Sequence, residues 1–184
     1  PVQVVFKLPD DTYCSNDDKD YTVIAEPPGG EVKGPGVSKD ADTGEYKFNP
    51  KDAGAGMKKL TYTVNLNTYE AFVNVIEINP KFTYSFKKPE PDVSERTANF
   101  TGIPTDADSY EWDFGDGSDK SIEQNPSHTY DLSDKQEFEV TLTVKKGKCT
   151  ETYKETITIP YCTADFSYTV DNVKDNIAVV SFDS

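Results

Sequence analysis

Hydrophobic and polar residues alternate most regularly in Phe138-Glu139-Val140-Thr141-Leu142-Thr143-Val144-Lys145. Phe138, Val140, Leu142 and Val144 fall on one face, and Glu139, Thr141, Thr143 and Lys145 on the other. This period of two marks a strand with one side in a core and one in water. The turn Lys146-Gly147-Lys148 follows, and residues 150–159 run back as the second arm of a hairpin. Earlier in the chain, Leu60-Thr61-Tyr62-Thr63-Val64 repeats the alternation, with a return over residues 71–78 after a turn at 65–68. The segments after the two hairpins also match, Phe82-Thr83-Tyr84-Ser85-Phe86 beside Phe166-Ser167-Tyr168-Thr169-Val170. Offsets of about 80 and about 84 residues describe a domain-sized repeat.

Sandwiches of the immunoglobulin type have this length. Proline ends each returning strand, which sets module boundaries near Asn79-Pro80 and Pro160-Tyr161. The expected organisation is a sandwich over 1–79, a second over 80–160, and the start of a third over 161–184. That last stretch offers two strands, around 165–169 and 177–182, and two strands seldom persist unaided. It reads as a module cut short. Residues 2–8 read as the first strand of module one or the last of a preceding module. No i, i+3, i+4, i+7 apolar stripe of useful length occurs, so the expected fold class is all-β, tandem immunoglobulin-like sandwiches.

Composition agrees, with 11 Tyr and 10 Phe among frequent Thr and Val, residues that suit pleated, half-buried surfaces. Acidic residues outnumber basic ones 33 to 19, for a formal charge of −14. That sign repels phosphate backbones and anionic lipid, so no nucleic-acid partner and no membrane insertion are expected. No apolar run is long enough to span a bilayer, and any signal peptide is expected outside this sequence.

The second module carries Tyr110-Glu111-Trp112-Asp113-Phe114-Gly115-Asp116-Gly117-Ser118, then Pro126-Ser127-His128-Thr129-Tyr130, then the Val140-to-Val144 alternation. This succession resembles the PKD (polycystic kidney disease) domain over residues 80–160. The resemblance gives Trp112, Asp113, Gly115, Asp116, Gly117, His128 and Tyr130 structural places. Physical reasoning runs the same way. Gly115 and Gly117 suit positive φ in a tight turn, and Asp113 and Asp116 can accept from nearby backbone N–H groups. Trp112 is expected to anchor the core, with His128 packed near the Asp-Gly turn and donating to a carboxylate or carbonyl. The first module is similar to immunoglobulin-like repeats of large Bacteroidetes surface proteins, on Tyr13-Cys14-Ser15-Asn16-Asp17, Pro27-Pro28-Gly29-Gly30, Gly34-Pro35-Gly36-Val37 and the run from Phe48 to Gly56. The two resemblances imply secretion, type IX export included, with roles in adhesion, gliding motility or polysaccharide handling.

Asp113, Asp116 and Asp119 invite a calcium reading, since hard cations prefer several carboxylate and carbonyl oxygens. The glycine and distal glutamate of the EF-hand loop are missing, and turn capping plus surface charge is the favoured alternative. Asp10-Asp11 with Asn16-Asp17-Asp18 form a second acidic group, read as a solvated loop before an ion site. No cofactor is expected. Nucleophile–base catalysis has one possible histidine, His128, to which the resemblance gives a structural place. No GxSxG, HExxH or glycine-rich phosphate loop occurs, and small sandwiches rarely supply a cleft, so catalysis is not expected. Asn99-Phe100-Thr101 is a glycosylation sequon on paper, read as a strand with Phe100 inward.

Three cysteines, Cys14, Cys149 and Cys162, leave at least one unpaired within the chain. Cys149 and Cys162 bracket an extended strand of up to about 40 Å, and a bridge needs α-carbons within about 7 Å. In an immunoglobulin-like sandwich the last hairpin turn lies near the domain's N-terminal end. On that logic Cys14 should face the turn near Thr68, which holds no cysteine, and Cys162 should pair beyond Ser184. The expectation is therefore no disulfide and three free thiols.

The leading functional expectation is a non-catalytic stalk or adhesin segment of a multidomain bacterial surface protein, extracellular or on the cell surface. Its partners would be neighbouring modules of the same polypeptide and surface glycans or proteins, with Tyr13, Tyr46, Tyr69 and Tyr161 as candidate glycan-facing aromatics. The alternatives are a carbohydrate-binding or spacer module of a secreted hydrolase or protease, and a scaffold component of a secretion or virion assembly.

Overall fold

Strands form wherever the sequence alternates, and tight turns join them. A computed structural model describes residues 3–87, 95–133, 135–160, 167–174 and 177–183. The first half contains β1 (Val5–Lys7), β2 (Thr12–Cys14), β3 (Tyr21–Thr22), β4 (Ile24–Glu26), β5 (Glu31–Lys33), β6 (Val37–Lys39), β7 (Tyr46–Phe48), α1 (Pro50–Ala53), β8 (Gly56–Val64) and β9 (Asn67–Ile76). Then come β10 (Lys81–Phe86), β11 (Glu95–Ile103), β12 (Ser109–Asp113), β13 (Ser127–Asp131), β14 (Glu137–Lys146), β15 (Cys149–Thr158), β16 (Ser167–Lys174) and β17 (Ile177–Asp183). The single turn α1 is capped by Asn49, whose Oδ1 accepts from the Asp52 N–H at 3.2 Å.

In the first half, β1-β4 and β3-β7-β6 make one layer and β2-β9-β8-β5 the other. The chain crosses between layers at Leu8-Pro9-Asp10-Asp11, so β1 pairs antiparallel with β4 while β2 pairs parallel with the end of β9. This puts Cys14 opposite Ile76, the last residue of β9. In the second half, β10-β11-β13 packs over β12-β14-β15. β16 and β17 pair antiparallel, with a register shift between Val170 and Asn172.

Inward positions of each sandwich form one core. Tyr13, Phe48, Leu60, Tyr62, Val73 and Val75 are buried in the first cluster. Trp112, Phe82, Phe100, Tyr130, Leu142 and Ile157 are buried in the second, and Ile78, just before the linking proline, packs there too. In β14, Phe138, Val140, Leu142 and Val144 are all buried. Fully burying one such side chain contributes about 1.5–3 kcal/mol, which decides which face of each strand turns inward. The chain is an all-β protein with immunoglobulin-like topology.

The β8–β9 turn departs from the residue type its geometry favours. Val64 pairs with Asn67, which leaves Asn65 and Leu66 as the turn, at φ 49° and 66°. Two positive φ values define the type I′ turn, which favours Asn followed by Gly. Leu66 adopts that backbone with its side chain wholly in solvent. Replacing Leu66 by Gly is expected to stabilise the first sandwich by roughly 0.5–1 kcal/mol. Urea unfolding followed by circular dichroism checks this, and an unchanged or lower midpoint would contradict it.

Candidate functional site

Among the described residues, tertiary structure gathers polar side chains at the turn after β12 and at the pole where the two sandwiches meet.

At the turn, β12 alternates so that Tyr110 and Trp112 point inward, and Phe114 continues the series. Trp112 is completely buried, and its Nε1–H donates to the Glu123 carbonyl at 2.8 Å. Phe114 lies parallel to the His128 ring at 4.0 Å, and Tyr130 meets that ring edge-on at 4.5 Å. This cage holds His128 Nε2 at 2.7 Å from Asp116 Oδ2, with both side chains mostly covered (14% and 17% exposed). Asp116 Oδ1 accepts from the Ser118 hydroxyl at 2.6 Å and the Ser118 N–H at 3.1 Å. Burial opposes ionisation of Asp116, but the hydrogen bonds from Ser118 and His128 outweigh it and hold its carboxyl below the usual range. Burial raises the Tyr130 phenol, whose hydroxyl has no protein partner among the described residues.

Gly115 (φ 77°) and Gly117 (φ 83°) both take the left-handed backbone, but their surroundings differ. A Cβ on Gly115 would run into the Glu139 carbonyl oxygen of β14, whereas one on Gly117 would meet nothing within 4 Å. Asp113 Oδ1 accepts from the Gly115 N–H at 3.0 Å. The three carboxylates of the calcium reading therefore do not converge. Asp113 closes its own turn, Asp116 faces His128, and Asp119 is exposed. Among the described residues no three His, Cys, Asp or Glu side chains form a metal-binding group.

At the pole, the expectation of free thiols is overturned. Cys14 and Cys149 form a disulfide across the two sandwiches, with α-carbons 5.6 Å apart and a sequence separation of 135. The expected position of Cys149 beside the last turn holds, since it opens β15 and is buried. The error lay with Cys14. Its strand runs parallel to β9, so it ends at the exit pole of the first sandwich and not at the entrance. Cys162 lies outside the described residues.

Polar contacts surround the bridge. The Lys148 ammonium pairs with Asp10 and lies 4.9 Å from the centre of the Tyr13 ring, and Asn16 donates to Glu151. Lys148, with the N–H groups of Thr12 and Asp11, holds the Asp10 carboxyl at about 2. Asp17 accepts from the Tyr21 hydroxyl at 2.6 Å, and Asp18 pairs with Lys51 at 2.7 Å. The second acidic group is thus used up by turns and by the joint. Of the candidate glycan-facing aromatics, Tyr13 is buried, Tyr46 half-buried and Tyr69 on the boundary of exposure. Tyr161 lies outside the described residues. Phe100, of the paper sequon, is buried in β11.

Residues 84–160 match the family model of the PKD domain. Among solved structures, the chain is similar to Drosophila OTK extracellular domains 3–5 (TM-score 0.41, 14% identity, 86% of this chain and 62% of that one). It is also similar to bovine butyrophilin (TM-score 0.43, 13% identity, 88% and 100%) and to titin domains Z1Z2 in complex with telethonin (0.31, 14%, 89% and 100%). The chain spans less than two thirds of the OTK structure's length. PKD and immunoglobulin-like domains are typically extracellular and non-catalytic. No helix among the described residues is long and apolar enough to cross a membrane.

Trp112, the only tryptophan, reports on the second sandwich alone. Gly117→Ala is expected to cost about 1 kcal/mol for its backbone, and Gly115→Ala at least about 3 kcal/mol because the backbone of β14 is also in the way. Equal losses in Trp fluorescence unfolding curves would refute the difference. For acid, the sign follows from the depressed value of Asp116: its stabilisation is present above the unfolded carboxyl value of about 4 and lost as pH falls through the folded value. Asp116→Asn should lower stability at neutral pH by roughly 1–2 kcal/mol and shallow the fall in stability below pH of about 4. An acid limb identical to that of the unsubstituted chain would count against it.

Proposed function

We propose that this chain is a non-catalytic spacer within an extracellular multidomain protein, a stalk or adhesin segment that holds a binding region away from its anchor. The observation that carries the reading is the joint. Two sandwiches with separate cores are connected by only Glu77-Ile78-Asn79-Pro80 and are fastened a second time by Cys14–Cys149. A short, proline-ended linker limits bending, and a second covalent connection limits it further. A disulfide of this kind persists in an oxidising compartment, which supports an extracellular setting.

Surface chemistry supports a spacer. Two surface hollows, one beside Tyr46 and Tyr62 and one beside Phe72, are open to solvent and lined in part by polar side chains. Several carboxylates are engaged in turns and in exposed ion pairs such as Lys120–Glu111 and Lys154–Glu139, which keep strand faces soluble and add little energy. The resemblance of the first module to repeats of Bacteroidetes surface proteins supports a bacterial surface setting, with adhesion or gliding motility as the process served.

Small-angle scattering of the oxidised chain tests the reading. A compact single domain of this length has a radius of gyration of roughly 16 Å, and the spacer should give a clearly larger value with the profile of an elongated, stiff particle. A value near that of the compact domain, or specific binding of the isolated chain on a glycan array, would overturn it.

A further inference from the structure

The positions of the two bridged cysteines in the chain determine where tension would travel. β1 and β2 lead from the N-terminal side of the first sandwich to Cys14 at its exit pole, where Cys14 sits opposite Ile76. Across the pole, the β14–β15 turn touches the same place, since a Cβ on Gly147 would lie 3.2 Å from Ile76 Cδ1. From Cys149, β15 then runs to Thr158 at the far end of the second sandwich. Each of the two stretches, Val5 to Cys14 and Cys149 to Thr158, spans about 30 Å when extended, comparable with the length of one small sandwich.

From this path we infer that the Cys14–Cys149 bond is a tensile shunt. Force applied to the two ends of the chain passes along β1 and β2, across the sulfur–sulfur bond and along β15 to the C-terminal segment that follows it. The 135-residue separation between the cysteines, which holds most of both cores, is left out of the path. A sandwich normally yields under tension when its terminal strands shear away and the chain between them pays out. Here the strands that carry the pull, β2 and β15, are already extended and are joined to each other covalently, so the chain between the cysteines has no way to lengthen while the bond is intact. The acid–base and aromatic contacts of Lys148 with Asp10 and Tyr13 keep the poles together sideways, whereas the disulfide alone carries the pull. The biological use of such a shunt rests on the reading of the chain as a spacer under tension; the shunt itself rests only on the connectivity.

Single-molecule force spectroscopy on the full 184-residue chain, with Cys162→Ser so that only Cys14 and Cys149 can pair, tests it. Oxidised molecules should show no step that releases the segment between the cysteines. With dithiothreitol, which gives up two electrons and two protons to the two sulfurs and closes into its own cyclic disulfide, sandwich-unfolding steps should appear. Their added contour should total on the order of 450 Å. The double variant Cys14→Ser/Cys149→Ser should behave like the reduced chain; should it fail to fold, the oxidised and reduced forms of the parent chain still make the comparison. The same unfolding steps with and without reductant would overturn the shunt. So would recovery of Cys14 and Cys149 as free thiols in a non-reducing peptide map. A compact scattering profile or glycan binding would remove the spacer reading and leave the shunt standing, so the two failures are distinguishable.

Discussion

A sheet with one apolar face cannot leave that face in water, and the arrangement of this chain follows from that constraint. Each hairpin presents a row of inward residues, Leu60, Tyr62 and Val64 in β8 or Phe138, Val140, Leu142 and Val144 in β14, that a second layer must cover. Covering it twice gives two cores, because the short segment between Ile76 and Lys81 cannot carry one core across to the other. Polar groups that cannot enter either core are pushed to the turns at the poles. The polar clusters after β12 and at the joint therefore lie where strands end.

The two clusters use similar side chains for different purposes. After β12, aromatic stacking fixes the imidazole of His128, and the imidazole with Ser118 fixes Asp116. The result is a closed turn whose side chains hydrogen-bond to one another. At the pole between the sandwiches, the carboxylate of Asp10 and the ammonium of Lys148 meet across the joint. The disulfide beside them fixes the distance at which they meet. A surface ion pair alone contributes little, so the covalent bond is what makes the joint different from a simple contact between neighbouring domains.

Much of the fold was legible in the sequence because strand alternation is a local property. The hairpins of β8–β9 and β14–β15, the inward set of β14 and the absence of any long helix among the described residues all follow from residues close together in the chain. The turn after β12 was legible for a related reason. Asp and Gly at positions 113 and 115–117 have few backbone options, and Trp112 follows the rhythm of Tyr110. Less legible was the fate of Asp113, Asp116 and Asp119. Their spacing fits ion ligands and turn caps equally well, and only the ring of His128, from a strand twelve residues on from Asp116, draws Asp116 away from the others.

The sequence by itself determined that the chain is built of β-sandwiches, which faces of its strands turn inward, and that its turns need glycine where they have it. It placed Cys149 beside the last hairpin turn of its sandwich. Only the tertiary structure decided the partner of Cys149, because that depends on which end of the first sandwich holds Cys14. The crossing at Leu8-Pro9-Asp10-Asp11 sets β2 parallel to β9 and carries Cys14 to the exit pole. Whether a strand pairs parallel or antiparallel with a neighbour sixty residues away is decided by how two sheets pack, and no local pattern of apolar and polar residues records it.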